Sequence, residues 1–189
     1  MKPVVSFVLF AVAGVIAILF PILQISAHSK VMNEGKEIRL PIEPRDPYDP
    51  FRGRYINIGF SRERLTIEKK DDWRKNQVFA TFAEDENGIS YLSDISETRP
   101  LHPDYVIAGR TWSGNGEKTS ISLPIDRFYL NEDIAPKAEQ AYNDAVRSQS
   151  GHSCTAVLRI HRGRVLIVNV LIDDTPIAEY ARNNSLPER

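Results

Sequence analysis

Apolar and polar positions alternate in two different ways along this chain. From Pro3 to Ala27 there is no charged residue, and only Ser6, Gln24 and Ser26 are polar. Aliphatic side chains would surround a helix built from this run instead of forming one stripe, the pattern of a segment that faces lipid on all sides. A helix of about 20 residues crosses a hydrocarbon layer of roughly 30 Å. The run is long enough, and it predicts a membrane anchor over residues 1–27 with the bilayer met by residues 3–25. Gly14 is tolerated in such a helix, and Pro21 marks a kink or the approach to the interface. A cleaved signal peptide is the competing reading, with Ala27-His28-Ser29 as a weak cleavage site, but its apolar core typically spans only about 7–15 residues.

Beyond a short linker over 28–35 the period changes to two. Ile38, Leu40 and Ile42 share one face of a strand over Lys36–Ile42. Pro44, Pro47 and Pro50 then forbid helix interior or central strand, because proline lacks the backbone donor and fixes φ. Gly53–Phe60 reads as a strand with Tyr55, Asn57 and Gly59 opposite Ile56, Ile58 and Phe60. Gln77–Phe82 and Ile89–Leu92 flank Asn87-Gly88, a hairpin signal. Asp104–Trp112 and Thr119–Ile125 flank a turn over 113–116. Ser153–His161 and Arg164–Ile172 alternate around Arg162-Gly163. One helix is predicted over residues 133–147, capped by Asn131 or Asp133, with Pro136 in its first turn. Ile38–Glu43 and Ile121–Asp126 echo each other weakly. The expected fold is mainly antiparallel β, a barrel or sandwich of seven to nine strands with one helix, plus the transmembrane helix. The soluble domain is placed at 36–180 and a C-terminal tail at 181–189.

Composition narrows the function classes. The chain has 189 residues and a formal net charge of −1. That balance excludes the strong basic excess of a nucleic-acid binder, and mixed runs such as Glu68-Lys69-Lys70-Asp71-Asp72 read as solvated surface. Cys154 is the one cysteine, so no intramolecular disulfide forms. Positive charge does not fix the orientation: Lys2 lies before the apolar run and Lys30, Lys36 and Arg39 just after it.

One stretch carries a resemblance. Glu43-Pro44-Arg45-Asp46-Pro47-Tyr48-Asp49-Pro50-Phe51-Arg52-Gly53-Arg54-Tyr55-Ile56-Asn57-Ile58-Gly59-Phe60 resembles the signature of the GDYXXLXY-domain family, mostly bacterial, membrane-anchored proteins of unknown function. Gly53, Tyr55, Ile58 and Phe60 stand at its Gly, Tyr, Leu and final aromatic positions. Arg54 replaces the aspartate, Ile58 the leucine and Phe60 the tyrosine. Asp126-Arg127-Phe128-Tyr129-Leu130 before a helix is similar to its second block. The resemblance implies a single-pass protein of the cytoplasmic membrane with its domain outside the cytoplasm, working beside a multi-pass membrane protein. It implies no catalytic residue.

No chemistry of another kind stands out. His152 and Cys154 share a strand face, but two ligands do not make a metal site; Cys154 reads as a core thiol and His161 as a surface residue at a hairpin end. Gly114-Asn115-Gly116-Glu117-Lys118-Thr119 is not a phosphate loop, because Gly-Lys-Ser/Thr is broken and no helix follows. No cofactor is implied. The candidate binding residues are Arg45, Asp46, Phe51, Arg52, Gly53, Tyr55, Asp126, Phe128 and Tyr129, around a proline-stiffened loop, a usual place for function. Two functions follow: a tethered binding or assembly module, favoured, or a membrane-tethered hydrolase with its active site in the Pro44–Phe60 loop.

Gly53 opens a strand directly after the prolines, where the chain turns sharply. With a positive φ at Gly53, Gly53→Val is expected to cost about 1–3 kcal/mol through backbone strain; with the Arg52 guanidinium buried against Asp46 or Asp126, Arg52→Ala is expected to destabilise by leaving a carboxylate unpaired. Thermal melting of the soluble domain checks both; unchanged melting with reduced partner recovery would make the loop a recognition surface instead.

Overall fold

These patterns take shape in a computed structural model that describes residues 3–43, 55–68, 75–113, 117–147 and 152–183. The triple-proline loop with Gly53, the acidic-basic run after Glu68 and the glycine turn at 114–116 lie outside the described residues. Helix α1 (Pro3–Glu34) is long and apolar enough to cross a membrane, and its apolar residues from Phe7 to Ile25 are exposed. It also continues through the stretch read as a linker. Residues 28–34 contain no proline or glycine to stop it, and Gly35 is the first residue outside it.

Strand β1 (Lys36–Glu43) follows at once and buries Ile38, Leu40 and Ile42, as the alternation requires. The chain then forms β2 (Tyr55–Asn57), β3 (Gly59–Phe60), β4 (Thr66–Glu68), β5 (Gln77–Glu84), β6 (Ser90–Ser96), β7 (Val106–Ser113), β8 (Lys118–Ser122) and β9 (Arg127–Tyr129). Helix α2 (Ala135–Arg147), β10 (Cys154–His161), β11 (Arg164–Ile172), β12 (Thr175–Pro176) and α3 (Ile177–Asn183) complete it. Among the described residues the protein is β-rich, with three helices and a nearly closed antiparallel sheet. The twelve strands among the described residues exceed the seven to nine expected, because several are pieces of two or three residues.

Two five-stranded layers, β12-β11-β10-β1-β3 and β4-β8-β7-β5-β6, wrap one core, and β2-β9 form a separate pair. The layers are joined where Val106 bridges Gly163 and where the Arg39 amide donates to Ser90 Oγ at 3.0 Å. Ile38, Leu40 and Ile58 meet Val78, Val106, Leu158, Ile160, Val170 and Ile172 inside, all essentially sealed from solvent. Burying each such side chain contributes about 1.5–3 kcal/mol. Helix α2 begins at the Asn131 turn, whose carbonyl accepts from Ala135 at 2.9 Å, and carries Pro136 in its first turn. Ala135, Ala138, Tyr142 and Ala145 form its buried face, at helical spacing. The Ile38–Glu43 and Ile121–Asp126 echo has no structural counterpart, since Ile38–Glu43 lies within β1 whereas the second segment leaves its strand after Ser122.

Register gives the domain two ends. Lys36 pairs with Ile160, Pro41 with Thr155 and Cys154 with Ile172. One end therefore holds Gly35, His161 and the Arg162-Gly163 turn. The other holds the β11–β12 turn and the Asn87-Gly88 hairpin, whose Asp85 Oδ1 accepts from the amides of Asn87 and Ile89 at 3.0 Å.

The anchor is fixed to its end by several contacts. Val31 is 1% exposed, Arg159 donates to the Met32 carbonyl, and His161 Nε2 lies 3.8 Å from Glu34 Oε2. His161, expected at the surface, is buried because α1 covers it. A Cβ at Gly35 would collide with the Val31 carbonyl and meet the Ile160 carbonyl at 3.1 Å, both rigid backbone. Gly35→Ala is therefore expected to cost about 1–3 kcal/mol, the usual range for overpacking. Hydrogen exchange should show the loss concentrated at Val31–Lys36 and the end of β10; wild-type exchange there would refute the close approach.

Candidate functional site

β2 and β9 build the surface on which the candidate residues meet. Their antiparallel pairing sets Tyr55 opposite Tyr129, Ile56 opposite Phe128 and Asn57 opposite Arg127. Alternation sends Ile56 (3% exposed) and Phe128 (9%) into the core. Tyr55, Asn57, Arg127 and Tyr129 share the outer face. The pair is held from behind, with α2 against β2 and β11 against β9. The Ile58 amide donates to the Asp126 carbonyl at 2.7 Å, fixing the entry to β9.

On that face the Tyr55 and Tyr129 rings lie 5.8 Å apart, inclined at 54°. The Arg127 guanidinium sits 5.0 Å from the Tyr55 ring centroid, and its Nε is 3.8 Å from Asp126 Oδ1. Hydrogen bonding with Tyr129, then the proximity of Tyr55, holds the guanidinium pKa above its ordinary value. Arg127 is a cation held over the Tyr55 ring and hydrogen-bonded to Tyr129. Tyr129 stays 65% exposed.

Of the candidates, Tyr55, Asp126 and Tyr129 come together, and Phe128 turns away into the core. Arg45, Asp46, Phe51, Arg52 and Gly53 lie outside the described residues. Arg127 was missed as a site residue. Its signal was parity with Tyr129 around a buried Phe128, but only the pairing with Tyr55 reveals the clamp.

A second polar cluster closes the end of the sheet away from α1. His152 Nδ1 pairs with Asp173 Oδ2, while Asp173 Oδ1 accepts from the Ser153 amide at 2.9 Å. The Asp173 amide donates back to the Ser153 carbonyl at 2.9 Å. The Tyr180 ring on α3 meets the His152 ring edge-on at 6.3 Å. Cys154 beside it is buried, and burial, followed by the Asp173 charge, pushes its thiol up to about 11. It is a core thiol, not a nucleophile. A shallow open depression also lies along β4 and β8, lined by Arg62, Glu63, Thr66 and Lys118.

The model of the GDYXXLXY protein family matches residues 17–170. The chain belongs to the GDYXXLXY family. No curated protein and no solved structure is similar enough to count as a match. The matched span runs from within α1 into β11, so in this GDYXXLXY protein the anchor's second half, the Tyr55–Tyr129 face, β10 and most of β11 fall inside it. His152 and Cys154 also lie within it, and Asp173 just beyond.

The clasp of this GDYXXLXY protein has a defined pH signature. The Ser153 amide, then His152, hold the Asp173 carboxyl below its ordinary 3.8. A depressed carboxyl adds stability that is complete above its unfolded value and vanishes as pH falls through its folded value. Asp173→Asn is expected to lower the melting temperature at neutral pH, and the gap from wild type should close below about pH 3.8. Asparagine tolerates the positive φ of 49° at this position, so backbone strain does not confuse the reading. Melting curves across pH check it; a gap that persists at acid pH refutes the linkage.

Proposed function

We propose that this protein is an extracytoplasmic binding and assembly module, tethered by α1 to the cytoplasmic membrane and docking a multi-pass membrane protein through the β2–β9 face. The observation that carries the reading is the outward Tyr55–Arg127–Tyr129 clamp. Tyrosine and arginine dominate the residues that supply most binding energy at protein interfaces. Here they are already ordered by one another, so little side-chain freedom is lost on docking. The family match and the apolar helix support a membrane-anchored protein. Arg45, Asp46, Phe51, Arg52 and Gly53, which directly precede β2 in the sequence, are assigned to the proposed site together with Tyr55, Asp126 and Tyr129. The domain runs from residue 36 through α3, which ends at Asn183, past the boundary expected at residue 180.

Affinity purification of the intact protein from membranes tests this. Wild type should bring a multi-pass protein with it. Tyr129→Ala, at an exposed position, should keep the wild-type melting temperature and weaken recovery by about 30-fold, the equivalent of about 2 kcal/mol at an interface hot spot. Undiminished recovery would remove the face from the interface. Protease added outside the cytoplasmic membrane should digest the domain and spare the anchor; a protected domain would invert the orientation.

A further inference from the structure

We propose that the end of the domain next to the anchor is a second membrane contact, with Leu101 seated in the lipid headgroup layer. The inference rests on the reading of α1 as a membrane anchor and adds a site to it. Residues 28–34 extend the helix about 10 Å past the apolar run. A headgroup layer is about 5–8 Å deep on each side of the hydrocarbon, so Glu34 stands just above it. Glu34 touches His161, and the next two residues, Arg162 and Gly163, hold the loop that carries Leu101. The Arg162 amide donates to the Pro103 carbonyl at 2.6 Å, and the Gly163 amide to the Tyr105 carbonyl at 2.8 Å. Arg99 donates to the Tyr105 hydroxyl from the loop's other arm. Pro100 and Pro103 stiffen the tip between them.

Leu101 is fully exposed, at 106%. A lone exposed leucine needs no explanation by itself. This one is held on a rigid tip beside the point where the anchor joins the domain. The large apolar side chains exposed on the described part of the domain are Tyr91, Leu101, Ile107 and Tyr129, and Leu101 and Ile107 both belong to this end. Arg162 and Arg164 are exposed at the same turn, and Lys30 is exposed on the helix. Apolar tips flanked by long cationic side chains suit the boundary between acyl chains and phosphates. Among the described residues the acidic groups at this end have partners or partial burial: Glu34 faces His161, Glu37 faces Arg39 at 3.5 Å, Glu97 accepts from the Lys75 amide at 2.7 Å, and Asp104 is half-buried.

The full-length protein, reconstituted in phosphatidylcholine vesicles doped with headgroup-proximal spin-labelled lipid, provides the test. Leu101→Cys and Glu86→Cys each receive a fluorophore; Glu86 lies in the hairpin at the opposite end. Cys154 does not compete for label, being buried with its thiol pushed up to about 11. Co-flotation with vesicles reads the anchor, and quenching reads the second contact. The expected result is co-flotation of both proteins, with strong quenching at 101 and little at 86. Co-flotation with equal or absent quenching at the two positions overturns the second contact and leaves the anchor standing. Failure to co-float overturns both. Fluorophore shielding at 101 in native membranes but not in pure lipid would make a protein the occupant, and would also overturn it.

Discussion

The antiparallel pairing of β1 with β10 is the constraint from which the rest of the molecule follows. It runs from Lys36–Ile160 to Pro41–Thr155 and begins one residue after the anchor ends. With Ile38, Leu40, Leu158 and Ile160 at zero exposure, neither strand can slip by one residue without turning its whole apolar set outward. That register fixes where Gly35 lies against Arg159, and hence where the helix leaves the domain. It also places the β10–β11 turn beside Pro103, which closes one layer onto the other.

What was legible in the sequence was whatever repeats often enough to show a period. β1 and β5 run eight residues each and alternate clearly, while β10 and β11 show as apolar runs of eight and nine. α2 announced itself through its asparagine, its proline and its alanine-rich face. By contrast β3, β4, β9 and β12 are two or three residues long, too short to carry a period. α3 has seven residues and hides in a stretch read as the domain's edge and tail. The linker failed for another reason: polar residues after an apolar run mark the end of a membrane span, not the end of a helix.

The candidate site was legible in composition and not in geometry. Tyr55 and Tyr129 are separated by more than seventy positions in the sequence, and nothing local says that they face each other. Alternation alone would have told Phe128 from its neighbours as an inward residue. The Arg127 clamp and the His152–Asp173 clasp both require register between distant strands, which a single sequence does not state. Both come from the same physics: a short polar side chain or ring at a strand end, paired across to satisfy itself where the ladder stops.

Because α1 enters the domain without a break, the module is a strut and not a leash. A flexible tether of seven residues would let the domain sample a hemisphere of roughly 15 Å radius. A helix seated by Val31 and closed off by Arg159 removes that freedom, so the Tyr55–Arg127–Tyr129 face keeps one height and one orientation relative to the helix axis. The same stiffness couples the domain to lipid thickness. A span longer than the local hydrocarbon layer tilts to fit, and a rigid joint turns each degree of that tilt into an equal rotation of the Tyr55–Tyr129 face.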